Sequence, residues 1–131
     1  MTTISCNGTA CKSTGYTTAV SVTLSAADAT GGSGLASTHY TTDGTDPTLA
    51  SPTYTTALSM TSTATVKFRS WDKAGNVEAT QSQLVTVDAT APVTTASCNG
   101  GACVSTGYTS AVSVTLAASD GTNGSGVAST H

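Results

Sequence analysis

The chain has 131 residues, 8% of them charged and 5% aromatic, with a formal net charge of −3. Its four basic residues are scattered, which excludes a nucleic-acid groove, because phosphate contacts need clustered Lys and Arg. A hydrophobic content of 37% permits a thin core, no apolar run is long enough for membrane insertion, and the weak charge is not that of a disordered polyelectrolyte.

The opening segment carries CNGTAC, residues 6–11. Asn-Gly favours positive φ, so this turn is predicted to bring Cys6 and Cys11 together in a local disulfide. Zinc is the alternative, but such sites usually add a second cysteine pair or nearby histidines, and the unit has no second pair. A disulfide closing so short a loop contributes roughly 2 kcal/mol. It implies an oxidising, extracytoplasmic compartment, hence a secreted or cell-surface protein.

TAVSVTLSA follows, alternating Val20, Val22 and Leu24 with Ser21, Thr23 and Ser25. That is the period of a half-buried strand. GLASTHYTT reads as the next strand, closed by the turn dipeptides Asp43-Gly44 and Asp46-Pro47. SPTYTTALSM gives one or two short strands near an edge, since Pro52 lacks a ladder donor. ATVKFRSWD alternates again, with Val66, Phe68 and Ser70 on one face and Lys67, Arg69 and Trp71 on the other. DKAGN is a hairpin turn, VEATQSQLVTVD is the last strand, and ATAP reads as a short linker.

The sequence then begins again. Cys6 recurs as Cys98 and His39 as His131, an offset of 92, with about ten mismatches between residues 1–39 and 93–131. The cysteine pair returns as Cys98 and Cys103. A period this long suits a whole domain in a tandem array. The predicted organisation is one complete repeat with its linker, 1–91, and the first part of a second, 92–131. About seven strands per unit, with turns every 8–12 residues, predict an all-β fold: an antiparallel β-sandwich of the immunoglobulin or fibronectin type.

Residues 39–78 carry a resemblance. Tyr40-Thr41, Asp43-Gly44-Thr45 and Pro47, then Pro52 and Tyr54, then Asp72, Ala74, Gly75 and Asn76 resemble the chitobiase/β-hexosaminidase C-terminal-type domain. The resemblance implies a non-catalytic Ig-like module of large secreted or surface proteins, often in tandem. The cysteine pairs are not part of that pattern.

No catalytic set is visible. His39 and His131 are equivalent positions rather than partners, Asp43 and Asp46 suit Asx turns, and no G-x-S-x-G elbow occurs. Asp28, Asp72, Asn76, Glu78 and Asp88 lie at strand ends and the linker, as candidate hard-oxygen ligands for calcium; no other cofactor is indicated. Trp71, with Tyr54, is a candidate platform for a sugar ring, or Trp71 stacks on Arg69. Asn7 and Asn123 match N-glycosylation sequons.

The expected function is structural: a non-enzyme repeat of an extracellular stalk, adhesin arm or filament, its partners being other copies or adjacent repeats. The alternative is a glycan- or surface-binding accessory module. The second copy alone leaves Val112, Val114, Leu116 and Val127 without cover, roughly 6–12 kcal/mol of missing burial. Either another chain completes it by strand exchange and end-to-end assembly, or the chain is a stretch of a continuous array.

Overall fold

A computed structural model describes residues 1–122 and 124–131. Asn123, one of the two sequon asparagines, lies outside the described residues. The chain divides into two compact units, Met1–Ala89 and Thr90–His131.

The first unit has six strands: β1 (Thr2–Cys6), β2 (Val20–Ala26), β3 (Leu35–Thr41), β4 (Leu58–Met60), β5 (Ala64–Asp72) and β6 (Gln81–Val85). They form two antiparallel three-stranded sheets, ordered β1-β2-β4 and β3-β5-β6. This is the immunoglobulin-like arrangement, and no helix occurs among the described residues. Alternation puts Cys6, Val20, Val22, Leu24 and Met60 of one sheet against Val66, Phe68 and Val85 of the other. Ile4, Cys11, Tyr16, Tyr40, Tyr54, Leu58, Ala64 and Val87 pack around this cluster.

Six strands replace the expected seven because the Pro52 segment makes only an isolated bridge, Thr53 to His39. Its two bonds are Tyr40 N–H to the Pro52 carbonyl at 3.1 Å and Tyr54 N–H to the Thr38 carbonyl at 2.8 Å. Proline has no N–H to extend that ladder. Strand β3 also departs from strict alternation, since Thr38, His39 and Thr41 are all buried. A bulge between Leu35 and Ser37 shifts its register against β5. The 42–57 connection bonds to its outer side: the Thr41 hydroxyl donates to the Thr45 carbonyl at 2.5 Å.

The second unit is a hairpin, β7 (Val93–Cys98) with β8 (Val114–Ser119). Its register repeats β1–β2 residue for residue: Thr2 faces Ala26 and Thr94 faces Ala118, Cys6 faces Val22 and Cys98 faces Val114. One difference is informative. Strand β2 begins at Val20, where it pairs with Met60 of β4, but β8 begins only at Val114. Val112 and Ser113, the counterparts of Val20 and Ser21, are not strand residues.

Candidate functional site

The turn after β1 places both cysteines. Asn7 and Gly8 adopt φ of 51° and 78°, a conformation Asn-Gly tolerates. Cys6 and Thr9 exchange two backbone bonds of 2.7 and 3.1 Å. The Asn7 side-chain carbonyl accepts from Ser21 N–H at 2.9 Å, tying the turn to β2. Cys6 and Cys11 form a disulfide, with Cα atoms 4.8 Å apart, and Cys98 and Cys103 form its counterpart at 4.9 Å.

Trp71 lies on the outer face of the β3-β5-β6 sheet. The Arg69 guanidinium sits over its ring at 4.9 Å, and the His39 ring meets it edge-on at 5.2 Å. His39 is held at both nitrogens. Nδ1 donates to the Ser51 carbonyl at 2.8 Å, so Nε2 accepts from the Ser37 hydroxyl at 3.0 Å. Lys67 continues the face and pairs with Asp46 at 2.8 Å. Tyr54 is not part of this face: it packs against the core, where burial of its ring is favourable. Trp71 and Tyr54 therefore do not form one sugar platform.

The end of the sandwich near Trp71 holds a recess of about 170 Å³, bordered by Asp28, Leu35, Ser70, Asp72, Asn76 and Glu78. Two of its carboxylates, Asp28 and Asp72, are engaged locally. Asp28 accepts from the N–H groups of Ala29 and Gly34, both at 2.7 Å. Asp72 accepts from Asn76 N–H at 2.8 Å and Asn76 Nδ2 at 2.7 Å. The Asn76 side-chain amide holds the Asp72 carboxyl below its ordinary pKa, against an opposing contribution from desolvation. The Thr45 hydroxyl does the same for Asp43, and the Lys67 ammonium for Asp46.

Glu78 has a role that local spacing does not reveal. Its carboxylate accepts from Thr2 N–H and Ser70 N–H, each at 2.9 Å, and from the Thr2 hydroxyl. The Ser70 hydroxyl bonds to those of Thr2 at 2.6 Å and Thr38 at 2.7 Å. Thr2 stands on β1 and Ser70 on β5, so one carboxylate bolts the two sheets together. Only the Thr-Glu contact across 76 positions of sequence shows it.

Of the five calcium candidates, Glu78 is taken up by Thr2 and Ser70, and Asp88 lies away from the rest. Asp28, Asp72 and Asn76 border the recess. Asp88 follows Val87, which bonds Thr63 at the opposite end of β5. Strand β5 has nine residues, so its ends lie roughly 26 Å apart at about 3.3 Å per residue. Among the described residues, no group of three or more His, Cys, Asp or Glu side chains is placed to hold a metal ion. Among them also, no helix is long and apolar enough to cross a membrane. Asn7 is exposed, with its amide oxygen engaged by Ser21.

Comparison with curated proteins and with solved structures finds no match. The profile of the Chitobiase/beta-hexosaminidase C-terminal domain matches residues 12–82, more than half of the chain and nearly all of β2 to β6. With the two-sheet sandwich in place across those residues, the chain belongs to the chitobiase/beta-hexosaminidase C-terminal domain family.

Proposed function

We propose that the chain is a non-catalytic structural segment of a secreted or cell-surface protein, a stalk, adhesin arm or filament built from Ig-like units in tandem. One observation carries this reading: the same disulfide-closed hairpin occurs twice, at an offset of 92 and in identical register. A module reused as a spacer has that form. The family's Ig-like accessory character agrees with a non-enzyme, and two disulfides suit an oxidising compartment. Adjacent repeats are the natural partners of such a unit.

The second reading, a glycan-binding module, rests on Trp71. Arg69 already occupies one face of its ring, and Tyr54 is turned into the core, which leaves a narrow platform. Glycan-array screening of the whole chain beside a Trp71→Ala variant separates the two. The spacer reading expects no binding that depends on Trp71; tight Trp71-dependent binding of a sugar overturns it.

A further inference from the structure

The second unit presents an apolar face to water. Val112, Val114 and Leu116 are 38%, 58% and 50% exposed, whereas their counterparts Val20, Val22 and Leu24 are 1%, 0% and 6% exposed. A two-stranded hairpin with a bare hydrophobic face is marginal by itself, and contiguous exposed apolar surface marks an interaction site.

The molecule itself contains the template for what covers that face. In the first unit, β4 pairs along β2 through Met60 and Leu58, and Val66, Phe68 and Val85 close over it. All of these lie within residues 40–89. Resting on the tandem-array reading, we propose that the β7–β8 hairpin is the acceptor for a polypeptide segment with the sequence of residues 40–89, seated in the register that segment takes on β1–β2.

The differences between the copies favour this occupant. Of the ten positions that differ, nine are exposed in the first unit, and the tenth, Ile4 to Ala96, is half-buried and only loses carbon. No fully buried position changes: Thr2, Cys6, Val20, Val22, Leu24 and Thr38 recur as Thr94, Cys98, Val112, Val114, Leu116 and Thr130. A face that stays in water has no physical reason to keep every valine and leucine while its surroundings vary. Polar contacts are matched too. The main chain of Tyr16 exchanges bonds with the residues just after β6, its carbonyl accepting from Asp88 N–H at 2.8 Å and its N–H donating to the Thr86 carbonyl at 3.0 Å; Tyr108 offers the same main-chain groups. Thr94 is kept where Thr2 meets Glu78.

Exchange among identical chains does not supply the segment. Each chain carries two hairpins and one 40–89 segment, so any exchange leaves as many bare faces as it covers. In the tandem-array reading on which the proposal rests, an adjacent repeat carries the segment.

The test lengthens the whole chain at His131 by a second copy of residues 40–89. Amide exchange is compared at Val112, Val114 and Leu116 before and after, with sedimentation as a parallel readout. Exchange is expected to slow by about 1,000-fold or more, to the level of Val20, Val22 and Leu24, in a monomer. Introducing Phe68→Asp into the appended copy alone should restore fast exchange. Unchanged exchange, aggregation of the lengthened chain, or protection that survives the Asp overturns the proposal. So does an original chain already dimeric with residues 112–116 protected, for then a second copy is the occupant. Trp71-dependent glycan binding would sink the spacer reading without altering this exchange result.

Discussion

Val22 and Val114 occupy the same position of the same hairpin, yet one is 0% and the other 58% exposed. Truncation of each to alanine is thus an internally controlled measurement of what the second sheet contributes. Val22→Ala removes two carbons at about 0.8 kcal/mol each, and the surrounding Phe68, Met60 and Val66 cannot fully collapse into the gap. A cavity term raises the total to about 2–3 kcal/mol, or roughly 10–20 °C in Tm for a domain of this size. Val114→Ala leaves no enclosed cavity, because more than half of the residue faces water, and its cost stays below about 0.5 kcal/mol. The protein has one tryptophan, Trp71, in the first unit, so fluorescence in urea reports that unit alone. Amide exchange across β7–β8 reports the other. Equal losses in the two units would refute the reasoning, since Val114 would then be covered in the free chain.

Glu78→Ala strands the N–H groups of Thr2 and Ser70, and charged hydrogen bonds lost at about 1.5–3 kcal/mol each predict a cost of about 3 kcal/mol after water enters. Glu78→Gln keeps one acceptor and should cost less than half of that in the same urea titration. Acid should weaken the first unit: the Asp72 carboxyl is held below its ordinary 3.8 by the Asn76 side-chain amide. A depressed folded pKa means the contribution is complete above the unfolded value and disappears as pH falls through the folded one. Melting temperature is therefore expected to drop below about pH 4, and less steeply in Asp72→Asn. Reduction of both disulfides should lower the urea midpoint of the first unit by the equivalent of about 2 kcal/mol, and should abolish amide protection in β7–β8, which has no second sheet to fall back on. Removal of divalent ions with a chelator should leave the melting temperature unchanged, because the carboxylates at the recess are already bonded to Ala29, Gly34, Asn76, Thr2 and Ser70 and Asp88 stands at the opposite end of β5.

Much of this architecture is written in period-two alternation. TAVSVTLSA and ATVKFRSWD face one way in sequence and in structure, with Val66, Phe68 and Ser70 buried and Lys67, Arg69 and Trp71 outside. Glycine and asparagine at turns were equally legible, as the positive φ values of Asn7, Gly44 and Gly75 show. What alternation cannot show is cover supplied from far along the chain. His39 and Thr41 should be outward and wet, but the 42–57 connection lies over them, and both are buried. Tyr54 reads as a surface aromatic beside Pro52, yet its backbone bond to Thr38 turns it to the core. Glu78 reads as one more acid near a turn; its meaning depends on Thr2, which no local window contains.

The two copies separate local from non-local encoding more sharply than either does alone. In both, the asparagine of the turn has φ of 51°, and its side-chain oxygen takes the serine N–H at 2.9 Å. In both, the aspartate after the strand accepts from a glycine N–H at 2.7 Å, and a tyrosine hydroxyl accepts from the backbone N–H four residues earlier, at 3.0 and 3.1 Å. The disulfide recurs as well. These devices act within one hairpin, so they set turn, register and face whether or not a second sheet is present. Burial does not follow from them. Nor does the pairing of residues 20 and 21 in β2, which is missing at 112 and 113 where no β4 lies alongside. The hairpin is thus shaped in advance, with its loop entropy reduced by the disulfide, and waits for its cover. A unit of this kind loses little further order when residues of the 40–89 type arrive, so most of the apolar burial they bring is kept as stability.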